Sequence, residues 1–186
     1  WTLDPADLSG LTVTPAFNSG DDFTLTVTAT STDGTDTAVT TGTLDVSVAA
    51  DADAPTLNMS DASGTEDQPI ALNITSALTD TDGSETLSVT ISGVPGGATL
   101  SNGTDIGAGT WTLDPADLSG LTVTPAADSD ADFTLTVTAT STDGTDTATH
   151  TGTIAVSVVP DADAPTLIMS DASGTEDQPI ALNITS

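Results

Sequence analysis

Thirteen carboxylates fall into five kinds of short motif that contain glycine or proline. DTDGSE holds Asp80, Asp82 and Glu85, STDGTD holds Asp143 and Asp146, GTEDQP holds Glu66 and Asp67, and LDPADL holds Asp114 and Asp117. DADAP occurs twice, with Asp51 and Asp53 in one copy and Asp161 and Asp163 in the other. Acids spaced in this way on pliable loops are hard oxygen donors in a forgiving frame. That is the ligand set of Ca²⁺, which takes six to eight oxygens, whereas Mg²⁺ demands a tight octahedron and keeps its waters. The chain supplies no other counter-charge: its 186 residues include 28 Asp plus Glu, no Lys, no Arg and one His, a formal charge of -28. Two carboxylates about 5 Å apart repel by roughly 3 kcal/mol at an effective dielectric near 20. The competing reading is an acidic coat that only solubilises. The acids gather in loops instead of alternating along strand faces, which favours a cation.

The same composition excludes several functions. Without cationic side chains nothing neutralises phosphates, so nucleic acid and anionic membrane surfaces are poor partners. Without Cys there are no disulfides, thiolate zinc sites or cysteine nucleophiles. No run reaches the roughly 18 apolar residues of a membrane span. His150 is replaced by Thr40 at the equivalent position of an internal repeat, and no Lys or Cys is present to activate a nucleophile. Asp114 and Asp117 could form a glycosidase pair, yet nothing else suggests a sugar cleft. An enzyme is not expected. The chain opens at Trp1 without Met, as a window cut from a longer protein would.

The elements that must position these acids come from the repeat. Residues 1–76 align with 111–186 without a gap, and 65 of the 76 pairs are identical, which makes the unit 110 residues long. A period of that size is a domain, not a solenoid turn. DADAP, short and acidic after a strand-like run, is the best linker. Residues 1–53 are then the C-terminal half of one repeat, 54–162 a complete repeat, and 163–186 the start of the next.

Within 54–162 the hydrophobic period is two. In FTLTVTAT, Phe133, Leu135, Val137 and Ala139 face one way and the threonines the other. The same pattern predicts strands near 56–60, 70–75, 85–92, 98–101, 109–113, 121–124, 133–142 and 147–158, with turn signals such as Asp82-Gly83 and Asp143-Gly144 between them. No stretch reads as a helix. The expected fold is all-β, an immunoglobulin-like antiparallel sandwich repeated in tandem. In that order Asp80, Asp82, Glu85, Asp143 and Asp146 come to the upper end, where the chain arrives. Glu66, Asp67, Asp114 and Asp117 come to the lower end, and the linker acids lie between neighbouring domains. Trp1, Trp111, Phe23 and Phe133 are expected core anchors.

The blocks GTEDQP, LTDTDGSETLSVTISGVPGGATLS and DFTLTVTATSTDG resemble the tandem immunoglobulin-like or cadherin-like extender repeats of giant bacterial RTX-type adhesins, over essentially the whole chain. The resemblance implies a long surface protein exported by type I secretion. Its repeats would form a Ca²⁺-stiffened stalk whose partners are neighbouring repeats, while other domains bind the adhesion target. The cadherin pattern matches at Glu66, at Asp51 and Asp53, and at Asp80 and Asp82. It departs in the shorter linker, which lacks Asn, and in the Asp114-Pro-Ala-Asp117 spacing, so the number of ions per junction stays open. Two alternatives remain from the sequence: a self-assembling extracellular filament or matrix protein built from the same repeats, and a carbohydrate- or surface-binding module using an exposed Trp.

Overall fold

The computed structural model describes all 186 residues. In chain order the strands are β1 (Phe23–Asp33), β2 (Asp36–Val46), β3 (Thr56–Met59), β4 (Ala62–Thr65), β5 (Ile70–Ala71), β6 (Ile74–Ala77), β7 (Glu85–Ser92), β8 (Thr99–Leu100), β9 (Thr104–Gly107), β10 (Thr110–Leu113), β11 (Thr122–Thr124), β12 (Phe133–Asp143), β13 (Asp146–Val159), β14 (Ile168–Ser170) and β15 (Asn183–Thr185). The only helical turns are two 3-10 helices, Pro5–Leu8 and Pro115–Leu118. No helix is long and apolar enough to cross a membrane.

The alternation of β-branched and apolar residues decides the layers. Along β12 the inward Leu135, Val137 and Ala139 are fully buried while the threonines between them stay partly exposed. β12 sits inside a six-stranded sheet of order β4-β13-β12-β7-β10-β9. Two smaller sheets, β5-β11-β8 and β3-β6, complete a sandwich-like arrangement. The core contains 19 apolar residues between Leu57 and Val158. Every buried residue of the chain lies between Pro55 and Val158. Each fully buried Leu, Ile or Val there contributes about 1.5–3 kcal/mol.

Several expectations need correction. The sandwich is not purely antiparallel, because β4 pairs with β13 in parallel, Val156 opposite Ala62 through Val159 opposite Thr65. The stretch expected as one strand near 70–75 is two: β5 pairs with β11, and β6 pairs with β3. The break falls between them, where Leu72 is buried and donates its N–H to Leu121 O instead of to a ladder partner. β4 and β9 were not expected at all, being short and rich in Gly, Ser, Thr or Asp. Trp111 and Phe133 are only partly buried and pack at the rim of the core, while Trp1 is fully exposed.

Outside the core, β1 and β2 form a hairpin whose register repeats that of β12 and β13. Phe23 faces Val46 as Phe133 faces Val156, and Asp33 faces Asp36 as Asp143 faces Asp146. The tips match as well, since Gly34 and Gly144 have φ of 60° and 57°. A glycine with positive φ in the first position of a two-residue loop is what a II′ hairpin requires. Those tips carry the acids of the STDGTD motif.

Candidate functional site

At the upper end, strand pairing itself brings acids together. Glu85, the first residue of β7, lies opposite Asp143, the last residue of β12. Asp143 in turn faces Asp146 across the hairpin tip. The preceding loop folds on its own aspartates: Asp80 Oδ1 accepts the Asp82 N–H at 2.9 Å, and Asp82 Oδ1 accepts the Ser84 N–H at 2.8 Å. Such side-chain-to-backbone bonds are the usual reason Asp-x-Asp-Gly turns hold shape.

The first DADAP segment closes over this end. Asp53 N–H donates to Glu85 Oε1 at 2.6 Å, Ala52 N–H donates to Asp146 Oδ2 at 2.9 Å, and the Thr79 hydroxyl donates to Ala54 O at 2.8 Å. His150 Nδ1 lies 3.1 Å from Pro55 O. As a result Asp80, Glu85 and Asp143 are only 3%, 7% and 8% exposed. One carboxylate oxygen from each of Asp53, Asp80 and Glu85 lies within 4.8 Å of the others.

The electrostatics follow from that crowding. Burial, and then the charges of Glu85, Asp82 and Asp80, push the Asp143 carboxyl above the usual carboxylate range, against the opposing pull of the Asp51 N–H. The N–H and hydroxyl of Ser84 hold Asp82 below it. Glu85 Oε2 is buried without a partner, and so is Ser141 Oγ, two residues from Asp143 along β12. A buried acceptor left alone costs about 1–3 kcal/mol, more when charged. An oxygen-seeking cation fits this donor set; a thiolate or imidazole site does not, with no Cys and a single His in the chain.

The lower end gathers a second group. Glu66, 8% exposed, accepts the Asp161 N–H on Oε1 at 2.7 Å. Asp67 Oδ1 accepts the Asp128 N–H at 3.0 Å. The carboxylates of Asp67, Asp128 and Asp163 approach within 4.8 Å of one another, all three residues being exposed. A hydrogen bond with Asp128, then the charges of Asp128 and Asp67, raise the Asp163 carboxyl. Asp128 was absent from the sequence candidates because it sits in the stretch where the repeats differ. The signal available was the residue type: Asp128 and its counterpart Asn18 are the types that best tolerate positive φ, and both adopt it, at 55° and 60°.

Asp114 and Asp117 join neither group. After β10 the chain turns at once into the 3-10 helix Pro115–Leu118, which packs on β6, β7 and β10 instead of crossing to the lower end. There Asp117 Oδ2 accepts the Asp114 N–H at 3.1 Å, the capping work expected at such a helix start. The remaining sequence candidates divide cleanly. Asp51, Asp53, Asp80, Asp82, Glu85, Asp143 and Asp146 are at the upper end, and Glu66, Asp67, Asp161 and Asp163 at the lower.

No protein-family model matches this chain, and no curated protein matches it. Among solved structures it is similar to domains 4 and 5 of the S-layer protein SbsC, at 17% identity and a TM-score of 0.33, over 79% of this chain and 81% of that one.

Proposed function

We propose that the chain is part of an extracellular stalk in a long bacterial surface adhesin. Its units are tandem immunoglobulin-like, cadherin-like sandwiches 110 residues apart, stiffened by Ca²⁺ where they meet. Residues 54–162 are one complete domain, with 1–53 and 163–186 belonging to its neighbours. The role is spatial, not enzymatic, and other domains of the protein bind the adhesion target.

One observation carries this proposal. Asp53 and Asp163 occupy the same repeat position, yet Asp53 meets the upper group of the domain after it and Asp163 the lower group of the domain before it. In a continuous array a single linker aspartate therefore stands between the two groups. Asp53, Asp80 and Glu85, with Asp143 beside them, would hold one ion, and the unpartnered Glu85 Oε2 fits a donor to it. Asp67, Asp128 and Asp163 would serve the other face. A bound Ca²⁺ neutralises the crowded charge and ties linker to domain.

The test is thermal melting and small-angle scattering of the 186-residue chain in EDTA and in millimolar Ca²⁺. Ligand at a hundred times its Kd stabilises by about 2.7 kcal/mol. At about 4–8 °C per kcal/mol for a domain near 100 residues, the melt should rise by more than roughly 10 °C, with a longer and stiffer particle. If neither quantity changes, the acids are a solubilising coat and the proposal fails.

A further inference from the structure

Ser141 Oγ and Glu85 Oε2 are the two buried side-chain polar atoms of the chain that have no hydrogen-bond partner. Both belong to the inward face of the six-stranded sheet at its upper end. Along β12 that face reads Phe133, Leu135, Val137, Ala139, Ser141 and Asp143, so the wall of the core shrinks and then turns polar as it nears the acids. Every other hydroxyl on β12 is a threonine of the outward face, at least partly exposed. Strand preference explains those threonines. It does not explain a fully buried serine, since a hydroxyl left alone in a core is destabilising.

Register limits what the hydroxyl can reach. Ser141 lies between Leu87 of β7 and Ala148 of β13, and Ala139 is its inward neighbour on β12. None of these side chains carries a polar atom. His150, opposite Ala139, has its Nδ1 3.1 Å from Pro55 O. The next row towards the upper end is polar throughout: Glu85 pairs with Asp143, and Asp143 with Asp146. Successive inward residues of a strand are about 6.6 Å apart, and diagonal neighbours across a pair about 7–8 Å, within reach of a side chain as long as that of Glu85.

We infer that Ser141 Oγ is a neutral oxygen ligand of the cation held by the upper group, and the one that sets its preference for Ca²⁺ over Mg²⁺. The inference rests on the reading of that group as a calcium site. Asp53, Asp80 and Glu85 already bring three negative charges to a dication, and Asp143 adjoins them. Further carboxylates would add repulsion, so neutral donors complete the six to eight oxygens that Ca²⁺ takes. A hydroxyl one row further in adds an oxygen without a charge, and the ion gives Ser141 Oγ the partner it lacks. Mg²⁺ keeps several of its waters and binds through one or two carboxylates, so it does not draw on that oxygen.

Calorimetric titration of the 186-residue chain with Ca²⁺ and with Mg²⁺, beside thermal melts in EDTA, tests this. Ser141→Ala should weaken Ca²⁺ binding by at least roughly tenfold, the loss of one bond to a charged partner, and leave Mg²⁺ binding as it is. In EDTA its melt should not fall, because the hydroxyl removed has no partner. Ser141→Cys keeps the size of the side chain and replaces a hard oxygen by a soft sulfur. It should lose Ca²⁺ affinity as Ser141→Ala does and bind Cd²⁺, a soft ion of similar size, with the ultraviolet absorption of a cadmium–thiolate bond. The parent, without Cys, gives no such band. Unchanged Ca²⁺ affinity in Ser141→Ala, equal losses for Ca²⁺ and Mg²⁺, a lower melt in EDTA, or no thiolate band in Ser141→Cys would each overturn the inference and leave a calcium-dependent melt of the parent standing. A parent that binds no Ca²⁺ would instead remove the calcium reading, and this inference with it.

Discussion

Replacing Glu85 by Gln should change the stability of the sandwich in opposite directions with and without calcium. Oε1 accepts the Asp53 N–H at 2.6 Å, a bond an amide oxygen keeps. Oε2 is buried without a partner, and one Glu85 carboxylate oxygen stands within 4.8 Å of those of Asp53 and Asp80, so the substitution removes one charge from a crowded group. Two charges at that separation repel by roughly 3.5 kcal/mol at an effective dielectric of 20. Asp53 is partly exposed, and solvent screening cuts the combined repulsion to about 2 kcal/mol. With EDTA present, E85Q should therefore melt higher than the parent by roughly 10 °C, at about 4–8 °C per kcal/mol. In millimolar Ca²⁺ the same change removes a charged donor, and the calcium-induced rise should shrink until the variant melts below the parent. Scanning calorimetry or circular dichroism follows both. A variant that melts lower in EDTA would refute the idea that this carboxylate is strained by its neighbours. An unchanged calcium-induced rise would show that Glu85 does not hold the ion.

Acidity should act on the same groups. Asp143 and Asp163 have folded-state carboxyls raised above the ordinary range, so the folded chain binds more protons than the unfolded one just above that range. Stability in EDTA should then rise as pH is lowered from about 7 towards 5. Asp82 has the opposite shift, and its contribution is lost only below the ordinary carboxylate range; a melt that falls steadily from pH 7 would contradict the assignment. A paired truncation tests where the core lies. Ile154→Ala, at a fully buried site, should cost about 2–5 kcal/mol, while Leu44→Ala at the equivalent position, 56% exposed, should change the melt by less than about 0.5 kcal/mol. Chemical denaturation measures both.

How much of this was legible in the sequence depends on how many residues carried each signal. β7 and β12 are long and alternate strictly, and their expected bounds agree with the observed ones to within one residue. β4, β5, β6 and β9 have two to four residues each. In so short a strand, pairing depends on which partner lies nearby and not on local pattern, so neither the parallel β4–β13 ladder nor the split between β5 and β6 could be read from spacing. The rim positions of Trp111 and Phe133 have a related cause: large aromatics are enriched in cores, but here aliphatics from three sheets already fill the centre.

The acids divide along the same physical line. Glu85 and Asp143 end paired strands, so once β7 and β12 are recognised their meeting follows from register alone. Asp80 and Asp82 follow from turn chemistry that is local to six residues. Asp114 and Asp117 look identical in composition, but a proline immediately after Asp114 permits a helix start, and the pair is consumed in capping it. Asp128 is the converse case, an acid in a variable stretch whose backbone conformation aims it at Asp67. Carboxylate spacing therefore points to a shared acidic group where paired strands set the acids side by side, as they do Glu85 and Asp143. At a helix start, as at Asp114 and Asp117, the carboxylates serve the cap. Asp4 and Asp7 repeat the Asp114 and Asp117 arrangement, with a 3.3 Å bond from the Asp4 N–H to Asp7 Oδ2, and cap the helix start at Pro5 in the same way.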